Sequence, residues 1–161
     1  MTCPSVDIPN GIHTINVENI ALLFPVLVEY QTLYNRPNVP NAENHEYISQ
    51  FVKDPNRGAF HIYVHNGAAL AFSGLYFNFS TVRTQKFGLL NDLYVTEAAR
   101  RRGIARRLVS HNAYYCLDNG CKVMRWATEA DNEIAQKLYD NMSHFQTDWK
   151  HYEVLLDHIP Q

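Results

Sequence analysis

Asn66 and Gly67 constrain the fold most strongly, because they separate two segments that have the alternation of strands. Residues 59–65 and 68–79 are rich in apolar and aromatic side chains. Asn-Gly tolerates positive φ at both centres of a two-residue turn, which is the geometry that a tight antiparallel hairpin requires. The sequence therefore predicts a hairpin of these two strands, followed by a further strand over residues 86–95.

The remaining segments predict helices and short strands packed together. Apolar spacing indicates helices over residues 18–34, 42–53, 97–117 and 132–141, and strands over residues 13–17, 122–128 and 145–156. Pro25 lies inside the first helix and should kink it or mark a restart, because proline lacks a backbone donor. The order shows no repeat and no linker, so we predict a single α/β domain over residues 1–161, with helices packed over a mixed sheet.

Charge and composition argue against several classes of protein. The formal net charge is -2 and the pI is about 6.4, which disfavours whole-molecule attraction to nucleic acid. The longest apolar run, residues 20–28, contains Pro25 and predicts no membrane span. The chain has three cysteines with no Cys-x-x-Cys spacing, and an amino terminus without signal-peptide features. We therefore expect a cytoplasmic protein with reduced thiols and with neither a nucleic-acid nor a membrane partner.

His61 and His65 raise the question of a metal site. They are four residues apart in a strand-like segment, where side chains share a face without the ligand geometry of a helix. A polar strand face is the simpler interpretation, and no metal site is predicted.

A turn rich in arginine precedes the third helical pattern. Residues 100–107 hold five arginines, and the apolar pattern of a helix begins at Ile104. Cations are unfavourable in the first turn of a helix unless an anion compensates, because unpaired N–H groups and the helix dipole are positive there. Gly103 and Ala105 allow a bulky anion to approach the backbone, and arginine donors suit phosphate oxygens. A pyrophosphate is the favoured ligand; a solvated helix start and a nucleic-acid surface are the alternatives.

The hexapeptide from Arg100 to Ala105, Arg-Arg-Arg-Gly-Ile-Ala, resembles the Arg/Gln-x-x-Gly-x-Gly/Ala signature of the GNAT acetyltransferase superfamily. Residues 90–95 are similar to that family's fourth strand, and Asn132-x-x-Ala135-x-x-Leu138-Tyr139 is similar to its second conserved stretch. The resemblance implies a mixed, mostly antiparallel sheet of about six to seven strands flanked by about four helices. It also implies acetyl-CoA as co-substrate and a homodimer. Within the superfamily, residues 91–95 resemble the spermidine/spermine and small histone- or polyamine-acetylating branch.

The same resemblance assigns residues to acetyl-CoA. Backbone groups of β-strand residues would bind the pantetheine arm, a backbone N–H there would polarise the thioester carbonyl, and the arginine turn would hold the pyrophosphate. The implied cofactor-binding residues are Leu93, Tyr94, Val95, Arg100, Arg101, Arg102, Gly103, Ile104, Ala105, Arg106, Asn132 and Ala135.

Proton transfer requires an acid and a base. Tyr139 matches the family's general acid, and a phenol with an ordinary pKa of about 10 can protonate a leaving thiolate. A core tyrosine on an amphipathic helix is the alternative for Tyr139, and a helix N-cap is the alternative for Asn132. Asp92, on the strand face opposite Leu93, and Glu129 are equal candidates for the base that deprotonates the amine, and either could instead be an ion-pair partner.

The acceptor site is predicted from four residues: Tyr30, Gln31, Tyr34 and Asn91. Tyr30 and Tyr34 are four apart on the first helix, and aromatic rings near carboxylates suit a cationic amine. Both tyrosines could equally fill the core. The resulting hypotheses are an N-acetyltransferase for a small primary amine such as a polyamine or amino acid, a protein-lysine acetyltransferase, and a non-catalytic module that binds RNA or another polyanion.

Overall fold

The computed structural model describes residues 8–142, 145–147 and 150–156, which divide into two compact units. The first unit ends at Ala127 and the second begins at Thr128. The helices and strands of the first unit are β1 (Gly11–Thr14), α1 (Phe24–Leu33), α2 (Asn41–Lys53), β2 (Gly58–His65), β3 (Ala68–Ser80), β4 (Gln85–Val95), α3 (Ile104–Asp118) and β5 (Met124–Trp126). The second unit contains α4 (Glu133–Asp140).

The first unit is built on one mixed sheet with the strand order β1-β2-β3-β4-β5. Every neighbouring pair is antiparallel except β4 and β5, which are parallel. The predicted hairpin is confirmed: β2 and β3 pair over their length, and φ is 50° at Asn66 and 77° at Gly67. The mixed α/β architecture and the four α-helices agree with the sequence-based expectation.

The described residues form five strands, fewer than the six to seven expected. The difference lies in the predicted closing strands over 145–156: residues 145–147 and 150–156 form no strand, and their alternating apolar side chains stay exposed. β5 is also shorter than the predicted 122–128. Alternation along a sequence gives a strand its faces but does not supply the neighbouring strand whose hydrogen bonds it needs.

Local hydrogen bonds move two element boundaries. β1 ends at Thr14 rather than at residue 17, because Asn16 Oδ1 accepts the backbone N–H groups of Glu18 and Asn19 at 2.8 and 3.1 Å and turns the chain. The first predicted helix is divided: a 3₁₀ turn precedes α1, and Pro25 lies in the first turn of α1, as the restart interpretation requires.

The third helix begins at Ile104 and not at residue 97. Residues Glu97–Ala99 form a separate 3₁₀ turn, Arg100 is extended, and Arg101 has φ of 62°. Gly103 then caps α3 with φ of 73°. An α-helix cannot continue through left-handed residues, so the arginines at 100–102 lie in a turn ahead of α3.

The core lies on both faces of the sheet. α1 and α2 cover one face, where Leu23, Ile48 and Phe72 belong to a single buried cluster. α3 covers the other face, where Ala71 packs with Leu108. Side chains on one face of β4 therefore point toward α1 and α2, and those on the other face point toward α3.

His61 and His65 do not form the polar strand face predicted for them. His61 is fully buried on the α3 side, where its ring contacts those of His111 and Tyr115 with centroid distances of 4.6 and 4.8 Å. His65, at the end of β2, is exposed. The two histidines do share a face, because the extra residue at the register shift is Leu70 of β3 and the alternation along β2 is unbroken. They differ in burial because α3 covers His61, whereas His65 lies at the end of the strand.

Across the described residues, none of the helices combines the length and the apolar character that crossing a membrane would demand.

Candidate active site

A β-bulge at Asn91 determines which way Asp92 points. Leu75 of β3 pairs with Leu90, while the adjacent Gly74 pairs with Asp92, so Asn91 is an extra residue in β4. Side chains alternate between faces, and an extra residue shifts that alternation. As a result Leu90 is buried with the opposite face, whereas Asp92 turns toward α1.

The Asp92 carboxylate accepts three hydrogen bonds. Tyr30 donates its hydroxyl to Oδ1 at 3.0 Å, Tyr76 donates to Oδ2 at 3.0 Å, and the Asn91 amide donates to Oδ1 at 3.2 Å. Neutral donors on both oxygens stabilise a carboxylate anion without neutralising its charge. Asp92 thus presents a negative charge, held in one orientation, that an incoming cation can meet.

Gly74 makes room for this carboxylate. A Cβ built at position 74 would lie 2.5 Å from Asp92 Oδ2 and 2.9 Å from Cε1 of Phe60. Both separations are shorter than van der Waals contact allows, so any side chain at this position would push Asp92 out of place.

Aromatic rings surround Tyr30 on the same face of the sheet. Its ring lies 5.0 Å from that of Tyr34, 5.2 Å from Phe72 and 5.8 Å from Tyr94, measured between centroids. Burial, followed by the nearby Asp92 charge, raises the pKa of Tyr30, and the same two causes raise the pKa of Tyr76. Both phenols therefore stay protonated and can go on donating to the carboxylate near neutral pH.

The predicted acceptor residues are brought together only in part. Tyr30, Tyr34 and Asn91 cluster at Asp92, as described above. Gln31 instead joins the two helices: its Nε2 donates to Asn44 Oδ1 at 2.8 Å, and its Oε1 accepts from Asn44 Nδ2 at 3.2 Å. Since the whole amide is engaged with buried Asn44, its evident role is to hold α1 against α2.

Among the described residues of the first unit, no strand pairs with the carboxyl-terminal end of β4 on the side away from β3, which leaves an open edge there. Pairing with β5 ends at Leu90, whereas pairing with β3 continues to Val95. Thr96 N–H bonds to Leu70 O at 2.9 Å, so by antiparallel alternation Tyr94 faces β3, while the backbone groups of Leu93 and Val95 face away from it. This edge offers main-chain donors and acceptors to an extended ligand, which is the arrangement predicted for the pantetheine arm.

The arginine turn follows this edge directly. Arg101, Arg102 and Arg106 are exposed, and α3 begins without a side-chain cap and without an acidic residue in its first turn. Arg107 N–H is bonded to Gly103 O at 3.1 Å, so the N–H groups of the three residues before it precede the helical ladder. Of the two ion pairs that the structure gives among the described residues, neither involves these arginines.

Arg100 and Tyr94 connect this turn with α1. Arg100 Nε–H donates to Val95 O at 3.2 Å, and its guanidinium carbon lies 5.9 Å from the centroid of the Tyr94 ring. The Tyr94 hydroxyl donates to Glu29 Oε2 at 3.2 Å. One continuous surface of the first unit therefore carries the arginine turn, the open edge of β4 and the Asp92 cluster.

The other predicted site residues belong to the second unit. Asn132 caps α4, with its Oδ1 accepting the Ala135 N–H at 3.1 Å, so its N-cap role is confirmed and the Ala135 N–H is engaged there. Tyr139 is half-buried in the last turn of α4, and the Glu129 side chain is exposed. Their roles in catalysis stay predictions.

Sequence reasoning missed Tyr76 and Tyr47. Tyr76 bonds to Asp92, and the Tyr47 hydroxyl donates to that of Tyr76 at 3.1 Å. Alternation along β3 places Tyr76 on the same face as Phe72 and Gly74, which was the available signal. Its meeting with Asp92 depends on the bulge in β4, which no local pattern indicates.

Comparison with known proteins shows the family to which the chain is similar. Residues 25–145 match the acetyltransferase (GNAT) family. The chain is 28% identical over 152 residues to the uncharacterized N-acetyltransferase YhfO of Bacillus subtilis, spanning 88% of this chain and 95% of that protein. It is 30% identical over 91 residues to the D-amino-acid N-acetyltransferase HPA3 of Saccharomyces cerevisiae, spanning 56% of each. A crystal structure of a probable acetyltransferase superposes with a TM-score of 0.78 at 26% identity, covering 90% of this chain and 97% of that one.

The chain therefore belongs to the acetyltransferase (GNAT) family and is an acyltransferase. Its reaction is acetyl transfer, for which the family generally uses acetyl-CoA as the donor. The open edge of β4 and the uncapped, arginine-rich start of α3 fit the two parts of that donor, an extended amide-bearing arm and a diphosphate.

Proposed function

We propose that the protein transfers the acetyl group of acetyl-CoA to the primary amine of a small, positively charged molecule. The observation that carries this proposal is the Asp92 carboxylate, which accepts hydrogen bonds from Tyr30 and Tyr76 and stays partly accessible. An anion fixed beside aromatic rings is suited to bind an ammonium group through its charge and through cation–π contact. Tyr34 and Tyr94 supply the additional rings.

Asp92 is proposed to accept the proton that the ammonium must lose before its nitrogen can attack. An aliphatic amine has an ordinary pKa of about 10, so at neutral pH it arrives protonated and needs a base. Asp92 is favoured over Glu129 because its carboxylate is oriented by three donors, whereas the Glu129 side chain is exposed.

The donor side is proposed to use the main chain and the arginines. Acetyl-CoA supplies an acyl group already activated as a thioester. The edge at Leu93 and Val95 would orient its extended arm, with the Val95 N–H available to polarise a carbonyl, and the turn from Arg100 to Arg106 would hold the diphosphate. Tyr139 would donate a proton to the departing sulfur.

The class of amine is the finer part of the proposal. A relative acts, by its name, on D-amino acids, and this supports a small amine that carries its own charge. A polyamine is a second candidate for this small charged amine. A lysine side chain of a protein is the alternative acceptor. A single catalytic domain, a homodimer and a cytoplasmic location stay predictions.

The proposal is tested by measuring thiol release from acetyl-CoA against a panel of amino acids, diamines, polyamines and a lysine peptide. We expect turnover with small amines, and a loss of about 100-fold or more in kcat/KM in Asp92→Asn. Asp54→Asn is the matched control, because Asp54 is a carboxylate paired with Arg57 outside the site. Turnover of the lysine peptide alone, or full activity of Asp92→Asn, would contradict the proposal.

A further inference from the structure

A chain of hydroxyl groups connects Asp92 with the protein surface. The Tyr76 hydroxyl donates to Asp92 Oδ2 at 3.0 Å, and the Tyr47 hydroxyl donates to the Tyr76 oxygen at 3.1 Å. Tyr47 lies in α2 with 47% of its surface exposed, whereas Tyr76 lies in β3 and is half-buried. Hydrogen bonds thus run without a break from an exposed hydroxyl to the carboxylate.

Aromatic side chains line this path. The ring of Phe51 stacks on Tyr76 at 5.3 Å and contacts Tyr47 at 5.5 Å, and Phe60 lies 6.1 Å from Tyr76 and 6.3 Å from Tyr47, between centroids. These apolar rings limit the approach of water from the sides. Burial, followed by the Asp92 charge, raises the pKa of Tyr76, so its hydroxyl stays intact and can accept one proton while it passes on another.

We propose that Tyr76 and Tyr47 relay the proton of the acceptor amine from Asp92 to solvent, an inference that rests on the proposed role of Asp92. An N–H bond of the ammonium breaks as an O–H bond forms on Asp92. That proton then passes to the Tyr76 oxygen while the Tyr76 proton passes to Tyr47 and the Tyr47 proton to water. Both hydroxyls must rotate outward before this transfer, because in the structure Tyr47 donates to Tyr76 and Tyr76 donates to Asp92. The transfer restores the carboxylate and leaves both hydroxyls donating inward again.

The other groups that face Asp92 are less suited to this task. The Asn91 amide donates to Oδ1 but does not exchange protons readily at neutral pH. Tyr30, from α1, contacts Tyr34 and Tyr94 on the side where the amine is proposed to bind, so a proton passed to it would remain beside the substrate. The Tyr94 hydroxyl is bonded to Glu29. The path through Tyr76 instead leads to the exposed Tyr47 hydroxyl on α2, away from the rings around Tyr30.

Tyr47→Phe tests the relay, because it removes the outer hydroxyl and leaves the bond from Tyr76 to Asp92 in place. We expect kcat/KM to fall by about tenfold, less than for loss of the base itself. A small diffusible base such as imidazole should restore most of the loss, because it can take the proton in place of Tyr47. Tyr114→Phe is the matched control: Tyr114 is 70% exposed on α3, and its variant should be as active as wild type with no response to imidazole.

Three outcomes separate the relay from the proposal on which it rests. Wild-type turnover of Tyr47→Phe in every buffer, with Asp92→Asn inactive, would overturn the relay and leave the proposed function standing. A slow Tyr47→Phe that imidazole fails to restore would also overturn it, because the tyrosine would then support structure only. Full activity of Asp92→Asn would overturn the proposed function and the relay together.

Discussion

The carboxylate of Asp92 lies directly against Gly74, with no room between them for a methyl group. A Cβ at position 74 would approach Asp92 Oδ2 to 2.5 Å. The two residues are cross-strand partners at a bulge, so the absence of a side chain on β3 is what allows the carboxylate on β4 to lie where Tyr30 and Tyr76 reach it. The proposed acceptor site thus depends on a glycine that has no chemical role of its own.

This relationship predicts that Gly74→Ala impairs catalysis without altering any polar group of the site. The added methyl must displace Asp92 and Phe60, and a shift of the base by a fraction of an ångström lowers kcat/KM by about 10-fold or more. The affinity for CoA, measured by calorimetry, should change little. Gly120→Ala is the control, because it has open space around its Cβ and φ of 79°, and should cost about 1 kcal/mol of stability with kcat/KM unchanged.

Most of the fold could be predicted from sequence because its signals are local. The turn at Asn66 and Gly67 and the arginine-rich junction before Ile104 each lie within a few residues, and both are found where expected. The conformation of the junction was harder to predict. Arg101 adopts a positive φ there, and arginine is not a residue type that indicates a left-handed turn.

The acceptor site could be predicted only in part because it depends on distant pairing. Tyr30 and Asp92 are 62 positions apart, and Tyr76 and Asp92 are 16 apart. Whether they meet is decided by the register of β3 against β4, and the single extra residue at Asn91 reverses the facing of Asp92. Helical and strand periods carry no information about such a bulge, so Tyr76 and Tyr47 were missed.

The arginine turn makes a second prediction that concerns only the donor. Arg101→Ala should raise the KM for acetyl-CoA by about 10-fold, because a charged hydrogen bond to phosphate is lost, and added salt should narrow the difference from wild type. With S-acetylpantetheine, which has no diphosphate, variant and wild type should turn over equally. Arg57→Ala, which removes an arginine paired with Asp54, is the matched control. Equal loss with both donors would show that the turn does not hold the diphosphate.

The proposed role of Tyr139, in the second unit, as a general acid can be tested by substitution. If its phenol protonates the departing sulfur, Tyr139→Phe should lower kcat by about 100-fold and leave the affinity for CoA unchanged. Tyr152→Phe is the matched control, because it removes the same hydroxyl from a tyrosine outside α4 that is 91% exposed. Its kcat should equal that of the wild type. An unchanged kcat across the pH range in Tyr139→Phe would remove the assigned role.

A last prediction comes from His61, which is fully buried beneath α3 and contacts Thr14 Oγ1 through Nδ1 at 3.1 Å. Burial, and after it the neighbouring His111, lowers the pKa of His61 from 6.5 to about 3. Between pH 3 and pH 6.5, His61 therefore binds a proton in the unfolded chain but not in the folded chain. The contribution of His61 to the free energy of unfolding is fully present above pH 6.5 and is lost as the pH drops toward 3, by up to about 1.4 kcal/mol per pH unit.

Urea denaturation between pH 4 and pH 7 measures this slope, because the free energy of unfolding at each pH follows from the transition midpoint. His61→Gln keeps a polar side chain but cannot titrate, so the slope should become shallower even where the variant is less stable at pH 7. The part that remains is expected from His111, whose pKa burial also lowers. His65→Gln, at the exposed end of β2, should keep the wild-type slope. An identical slope in His61→Gln and wild type would mean that His61 is not held neutral by its position under α3.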